Sequence, residues 1–488
     1  MFLYLGILPL LFVPVWMGGG AFPPWQGSFL WLGAWAWGCY FLQPATKGLP
    51  SRKTRCLKLV KDPLLWISLG FLGYLTLQHL NTGRVQIFDF DLNEWRYSDP
   101  PVPWLPSSIT RSESHEMIRW FAPILTLLMI LRQSWKALPP PTLMWLVCLN
   151  GFCNVMLAFT QEAMGWSKMY NLQRFGDDFY ASFGYPNHAA LYFILLFSLA
   201  LGLFLKEILS ESSDRDLPTL FLSAVLTLTF FIAANLSTSR AGILGSWLVL
   251  ILSLLTLSVI LWPRTHPVQK IYGFIAVSLG ISFLITAFLL LAKPIHFREL
   301  RSATLTLDVY NEIEGRFFQI ESAFKLWMDH PLYGVGGWGY RYLGSHYMPM
   351  EEWHQMLRAG KANVHNDWMQ FGAEFGIIGL GLLLAAFFPL LRGILSSLFK
   401  NPVHGESIWA DPLKICVFWG LVMLFLDSQF DIPLRSPAVF MHGLFLLFLL
   451  SPHPDSRSLW LPLVDWKRLQ PPALRVKNQL REIHPEKN

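Results

Sequence analysis

The segment Val364-His365-Asn366-Asp367, continued by Trp368-Met369-Gln370-Phe371-Gly372-Ala373-Glu374-Phe375-Gly376, sets an imidazole, an amide and a carboxylate at the mouth of a long apolar helix. A second carboxylate, Glu374, lies two turns inside. Ionisable groups at such a boundary are costly in hydrocarbon, so they line cavities where something is bound or transformed. Asn366 is a natural N-cap and Asp367 suits the first turn of the helix. Asp367, Gln370 and Glu374 fall at i, i+3 and i+7, one polar stripe on a greasy helix. A helix N-terminus favours imidazole over imidazolium, which suits His365 to act as a base. Capping alone explains the Asn-Asp pair, and an interfacial His bonded to a carbonyl explains a lone His365. What raises the chemical reading is the company these residues keep.

Ser237-Thr238-Ser239-Arg240 forms a tight turn between two long apolar stretches. An Arg there either meets an anion or snorkels to the headgroups. Arg316 opens an amphipathic stretch with Phe317, Ile320, Phe324 and Trp327 at helical spacing. Taken alone it is an ordinary exposed Arg; paired with Arg240 it supplies the second of two guanidinium forks that can hold a diphosphate without a metal. Gly184-Tyr185-Pro186-Asn187-His188 precedes another apolar run, and its Pro and Asn are ordinary turn residues, so Asn187 enters only as a supporting candidate.

Other constellations weigh less. Asp89-Phe90-Asp91 has the two-carboxylate spacing that holds a metal around a diphosphate, but a bare acidic pair recurs by chance, as Asp177-Asp178 does. A Ser239/His365/Asp367 triad lacks any nucleophile-elbow glycines. The run Pro331-Leu332-Tyr333-Gly334-Val335-Gly336-Gly337-Trp338-Gly339 has no basic residue and matches no phosphate loop or dinucleotide fingerprint. It is expected to pack closely on the membrane surface, with Trp338 at headgroup level. No zinc-like His/Cys spacing stands outside the apolar runs, and neither a metal nor a cofactor is expected.

The elements that must position these groups are transmembrane helices. The chain is 53% hydrophobic and only 14% charged over 488 residues, which excludes a soluble globular protein. About twelve apolar runs are long enough to span a bilayer. Their centres lie near Leu10, Leu32, Phe71, Leu125, Leu149, Leu195, Val225, Leu250, Ala276, Leu382, Met423 and Phe445. The first has no basic n-region and reads as a retained span. The fold class is therefore an all-α integral membrane bundle, residues 1–450, with one large periplasmic loop at 294–366 between the ninth and tenth spans. A basic tail follows at 451–488.

Lys47, Arg52, Lys53, Arg55, Lys58 and Lys61 cluster after the second span, and the tail is likewise rich in Lys and Arg. The positive-inside rule makes both cytoplasmic, along with the two termini. The pI near 9.0 is then a sign of topology, and no nucleic acid partner is implied. Loops at 81–116, 162–187 and 294–366 fall on the other face. None of the five cysteines lies in them, so no disulfide braces that side. The tail has the composition to rest on anionic membrane lipids.

In order along the chain, Ser237-Thr238-Ser239-Arg240-Ala241-Gly242, Gly315-Arg316 through Trp327, Asp329-His330-Pro331 and Gly334-Val335-Gly336, and His365-Asn366 through Glu374, Gly376 and Gly379 resemble the O-antigen ligase and O-antigen polymerase superfamily. Pro186-Asn187 and Phe430-Asp431-Ile432-Pro433-Leu434 look like features of it too, so the likeness spans about residues 150–450. The resemblance implies a bacterial inner-membrane enzyme of about twelve helices. It implies glycan transfer from an undecaprenyl diphosphate carrier to an acceptor hydroxyl at the periplasmic face, without nucleotide or metal. On that likeness Arg240 and Arg316 bind the diphosphate and His365 is catalytic, with Asn366, Asp367, Glu374 and Asn187 in support. Ligation to lipid A-core is the leading expectation. A polymerase, a protein O-oligosaccharyltransferase and a lipid-linked glycan transporter stand as alternatives. The scarcity of polar groups near the bilayer midplane speaks against transport.

Overall fold

The computed structural model describes residues 1–20, 23–46, 48–82, 86–89, 94–172, 179–210, 216–261, 307–358, 362–400 and 407–451. The helices are α1 Phe2–Trp16, α2 Pro23–Leu42, α3 Arg52–Val60, α4 Pro63–Leu80, α5 Arg111–Ser134, α6 Pro140–Ala163, α7 Pro186–Leu209, α8 Leu217–Leu236 and α9 Arg240–Leu261. They continue with α10 Leu307–Asp329, α11 Tyr340–Leu343, α12 Met350–Arg358, α13 Asp367–Leu398, α14 Pro412–Asp427 and α15 Pro437–Leu450. An antiparallel hairpin of β1 Gln86–Asp89 and β2 Glu94–Tyr97 interrupts them, with Gln86 opposite Tyr97.

Local chemistry sets the helix starts. Pro occupies the first turn of α4, α6, α7, α8, α14 and α15, where its missing N–H costs nothing. The Asp62 and Asp411 carboxylates cap α4 and α14 through the amides of Leu64 and Leu413.

Among the described residues, α5 (with the short turn after it), α6, α7, α8, α9 and α13 are long and apolar enough to cross a membrane, while α1 and α15 are shorter apolar helices. Every expected span centre except Ala276 falls inside a helix, and Ala276 lies outside the described residues. So do all but the first residue of the tail. Helix α7 is the hub. It is buried without a break from His188 to Leu203 and packs on α8, α9, α14 and α15. Helices α8 and α9 are as apolar but far less buried, so it is the packing on every side, not composition, that makes α7 central.

The segment expected as a large loop carries helices α10 to α12. The expected amphipathic stretch at Arg316–Trp327 lies within α10. Ala323, Leu326, Val335, Tyr340, Leu343 and Trp353 form a hydrophobic core of their own, closed below by Ile109 and Ala373. Trp338 is not at a lipid surface: it is 2% exposed, its ring edge-on to Trp120 and covered by the Arg341 and Arg435 guanidinium groups at 3.4 and 4.6 Å. The glycines just before it are what allow this burial. Gly336 (φ +88°) and Gly337 leave no room for a Cβ against Ser108 and Met117.

Candidate active site

The turn between α14 and α15, residues 428–436, gathers the polar groups. The His365 Nδ1–H donates to Asp431 Oδ1 at 3.1 Å. Asp431 also accepts from Asn187 Nδ2 (2.8 Å), the Tyr185 hydroxyl (3.1 Å) and its neighbour's amide at Ile432 (2.9 Å). Asn187 in turn donates to the Tyr185 hydroxyl at 2.9 Å. The carboxylate is 4% exposed and the imidazole 28%. Burial works against ionisation of Asp431. The hydrogen bond and charge of His365, the charge of His188 and the bond from Asn187 outweigh it and hold the carboxyl below the usual carboxylate range. Burial, then the neighbouring Asp431 charge, pushes the Tyr185 phenol up, so it stays a donor.

A carboxylate can only accept, so Nδ1 is the donor in this contact and Nε2 is the ring atom left to meet a substrate. Among the described residues nothing hydrogen-bonds Nε2. His365 itself adopts φ +49°, a left-handed conformation that a non-glycine residue adopts at some cost. That backbone twist turns the chain from Val364, in the core under α10 to α12, into the first turn of α13.

The neighbouring candidates tie this turn to the helix. Asn366 caps α13 through the Met369 amide at 2.9 Å, and its amide group donates to Gln429 O at 3.0 Å. Asp367, wholly buried, accepts from the Leu434 amide at 2.8 Å, while its own amide donates to Ser428 O. Gln370 donates to Glu374 Oε1 (2.8 Å), and Glu374 Oε2 meets Arg435 Nη2 at 2.7 Å with both side chains sealed from solvent. Glu374 therefore engages Arg435, and the group that orients the imidazole is Asp431.

Arg316 reaches the same turn from α10, its Nη1 donating to Phe430 O at 2.6 Å, one residue from Asp431. Arg240 is the exposed first residue of α9. Two residues on, Gly242 presses against Ala190, so Arg240 and Asn187 open their helices at one end of the bundle. Ser239 Oγ caps that helix by accepting from the Gly242 amide at 3.1 Å, a structural role. His188 is buried and donates to Ile432 O at 3.2 Å. Asp91 lies outside the described residues, as does the Asp89 side chain. Among the described residues no three His, Cys, Asp or Glu groups cluster as a metal site.

Below the turn, a lateral apolar cavity of about 360 Å³ runs between α13, α14 and α15. Its upper end is Trp368, Ser428 and Leu434, and its lower end reaches Ile394 and Leu450.

Missed in the sequence were the part played by Asp431, Tyr185 and Arg435. Phe430-Asp431-Ile432-Pro433-Leu434 stood out only by likeness. An acid between two helix ends was the one physical signal, since a charge there must find a partner.

Apolar helices of this length, with a polar cluster at one end of the bundle, define a polytopic membrane protein. Residues 223–384 match a family model described as O-antigen ligase, which supports the resemblance to the O-antigen ligase superfamily. The match includes Arg240, Arg316, His365 and Glu374, and leaves Asn187 and Asp431 outside. Comparison with curated proteins returns no match.

Proposed function

We propose that the protein transfers a glycan from a lipid diphosphate carrier, undecaprenyl diphosphate, to an acceptor hydroxyl, and that the acceptor is lipid A-core. The observation that carries this reading is the His365–Asp431 pair, half open at one end of the bundle, with Arg316 bound to the adjacent carbonyl.

In this reading Nε2 of His365 takes the proton from the acceptor hydroxyl, a step worth about 10²–10⁴-fold for a well-placed base. The acceptor oxygen attacks the anomeric carbon as its bond to the diphosphate oxygen breaks. The configuration inverts, and the carrier leaves as the diphosphate. Asp431 holds the imidazole in the productive tautomer and stabilises the imidazolium that forms. Arg316 and Arg240 take up the charge that develops on the leaving group, in a setting where such donors need little reorganisation. The carrier's hydrocarbon tail lies in the cavity beneath Trp368, whose lining is carbon almost throughout. The site faces the periplasm, with the basic segments on the cytoplasmic side.

The test is to incubate purified protein with undecaprenyl-diphosphate-linked glycan and lipid A-core in chelator, and to identify the product's reducing-end attachment by mass spectrometry. Glycan on lipid A-core supports ligation. Longer glycan still on the carrier replaces ligase with polymerase and leaves the residue roles in place. No new glycosidic bond contradicts the proposal as a whole.

A further inference from the structure

Helix α13 is broken. Gly376 sits at φ +61°, ψ −172°, so the two turns that follow His365 are a separate piece from the long apolar remainder. A break of this kind strands backbone groups in apolar surroundings, where an unpaired one is costly. Here the segment after α10 is stitched into the gap. Val335 and Gly336 amides donate to the Ala373 and Glu374 carbonyls (3.0 and 2.8 Å), and Ile377 and Ile378 amides donate to Pro331 and Leu332 (2.8 and 3.2 Å). Gly334, at φ +63°, lies so close to the Glu374 carbonyl that any side chain would collide.

Two side chains from a different helix close the junction. Tyr74 Oη of α4 lies 2.5 Å from Tyr333 O and 2.7 Å from Phe375 O, one from each side of the stitch. Gln78 Nε2, one turn on, lies 3.2 Å from Tyr333 O, from Glu374 O and from Tyr74 Oη. Gly379 leaves space for the Tyr74 ring, since a Cβ there would stand 2.7 Å from it. Ser108 Oγ holds the Gln78 carbonyl at 3.0 Å. Neither Tyr74 nor Gln78 touches His365, Asp431 or Arg316 in any bond described above.

We propose that Tyr74 and Gln78 are positioning residues: they lock the break in α13 to the 331–336 segment and so fix the aim of the turn that presents His365 to Asp431. The proposal rests on the catalytic reading of His365. The geometry is suited to the task because α10, with Arg316, and the first turns of α13, with His365, are joined at this point. One lock therefore sets the separation between the guanidinium and the imidazole. A misplacement of about 1 Å far from the reacting atoms is enough to cost on the order of 10²-fold in rate.

The experiment uses full-length protein in lipid nanodiscs, comparing wild type with Tyr74→Phe, Gln78→Met and the double variant. Tyr340→Phe, which removes a hydroxyl bonded to Ser322 in the loop core, is the control. Amide hydrogen exchange is followed in peptides covering 331–340 and 369–380, alongside kcat and KM with undecaprenyl-diphosphate-linked glycan as donor. The expected result is exchange at least about tenfold faster in both peptides for the α4 variants. It comes with a kcat lower by about tenfold and a KM within about twofold of wild type. Unchanged exchange overturns the lock. Faster exchange with unchanged kcat overturns its positioning role. Because exchange is read without substrate, its outcome is separate from the catalytic reading, which fails instead if His365→Ala turns over normally.

Discussion

Two ionic contacts join the 431–435 turn to α13 and its approach, and they differ in almost every respect. His365–Asp431 is at the mouth, with the imidazole 28% exposed; Glu374–Arg435 lies two turns deeper, 0% and 1% exposed. At the mouth Nε2 stays open, whereas the deeper pair is enclosed. The Arg435 guanidinium stands over the Trp338, Phe371 and Phe375 rings at 4.6, 4.4 and 5.8 Å, and Glu374 is held by Gln370 as well. An ion pair walled in on all sides can specify how helices meet, but its burial gives a substrate no access. The pair with a free nitrogen and a path to solvent can do chemistry.

The comparison breaks most visibly if the deep pair is cut. Arg435→Ala leaves the Glu374 carboxylate buried without its cation, a loss of about 3–5 kcal/mol, so the thermal unfolding temperature and membrane abundance fall sharply. His365→Ala should do the opposite, leaving abundance intact while glycan transfer drops by about 10²–10⁴-fold. Equal abundance loss in both would erase the distinction. Arg316→Ala is expected to lower turnover by about 10²–10³-fold. Lys at 316 recovers only part of that, because an ammonium cannot reproduce the planar fork.

Asp431 sharpens the contrast through pH. Its carboxyl is held below the ordinary range in the folded protein, so the stability it supplies is present above that range and lost as pH falls through the folded value. The melting-temperature gap between wild type and Asp431→Asn should therefore shrink on acidification, and a gap that widens would contradict the assignment. The smallest effect is expected from Asn187→Ala. It removes one of four hydrogen bonds to Asp431, worth about 1.5–3 kcal/mol to a charged acceptor, and lowers turnover without unfolding the bundle.

Much of the fold was written in the apolar runs, because burying a helix in lipid demands a length and a composition that few other structures share. The N-cap at Asn366 and the helix through Arg316–Trp327 were legible for the same reason: both follow from local periodicity and hydrogen-bonding chemistry. Asp431 was not, since its meaning depends on α14 and α15 bringing it 66 residues along the chain to His365. Glu374 shows the reverse limit. Its spacing put it on the polar stripe with Asp367, but only the packing reveals that Arg435 claims it. The glycine-rich run at 331–339 was expected to pack closely on the membrane surface, and only the packing reveals that Gly334 closes on the backbone at Glu374 while Gly376 closes on that at Leu332.

The most direct test is single-turnover transfer from undecaprenyl-diphosphate-linked glycan by purified, monodisperse wild-type and His365→Ala protein at matched concentration. A new glycosidic bond formed by the wild type and almost none by the variant is the predicted result. Equal transfer by both proteins would remove the imidazole from the chemistry and contradict the account.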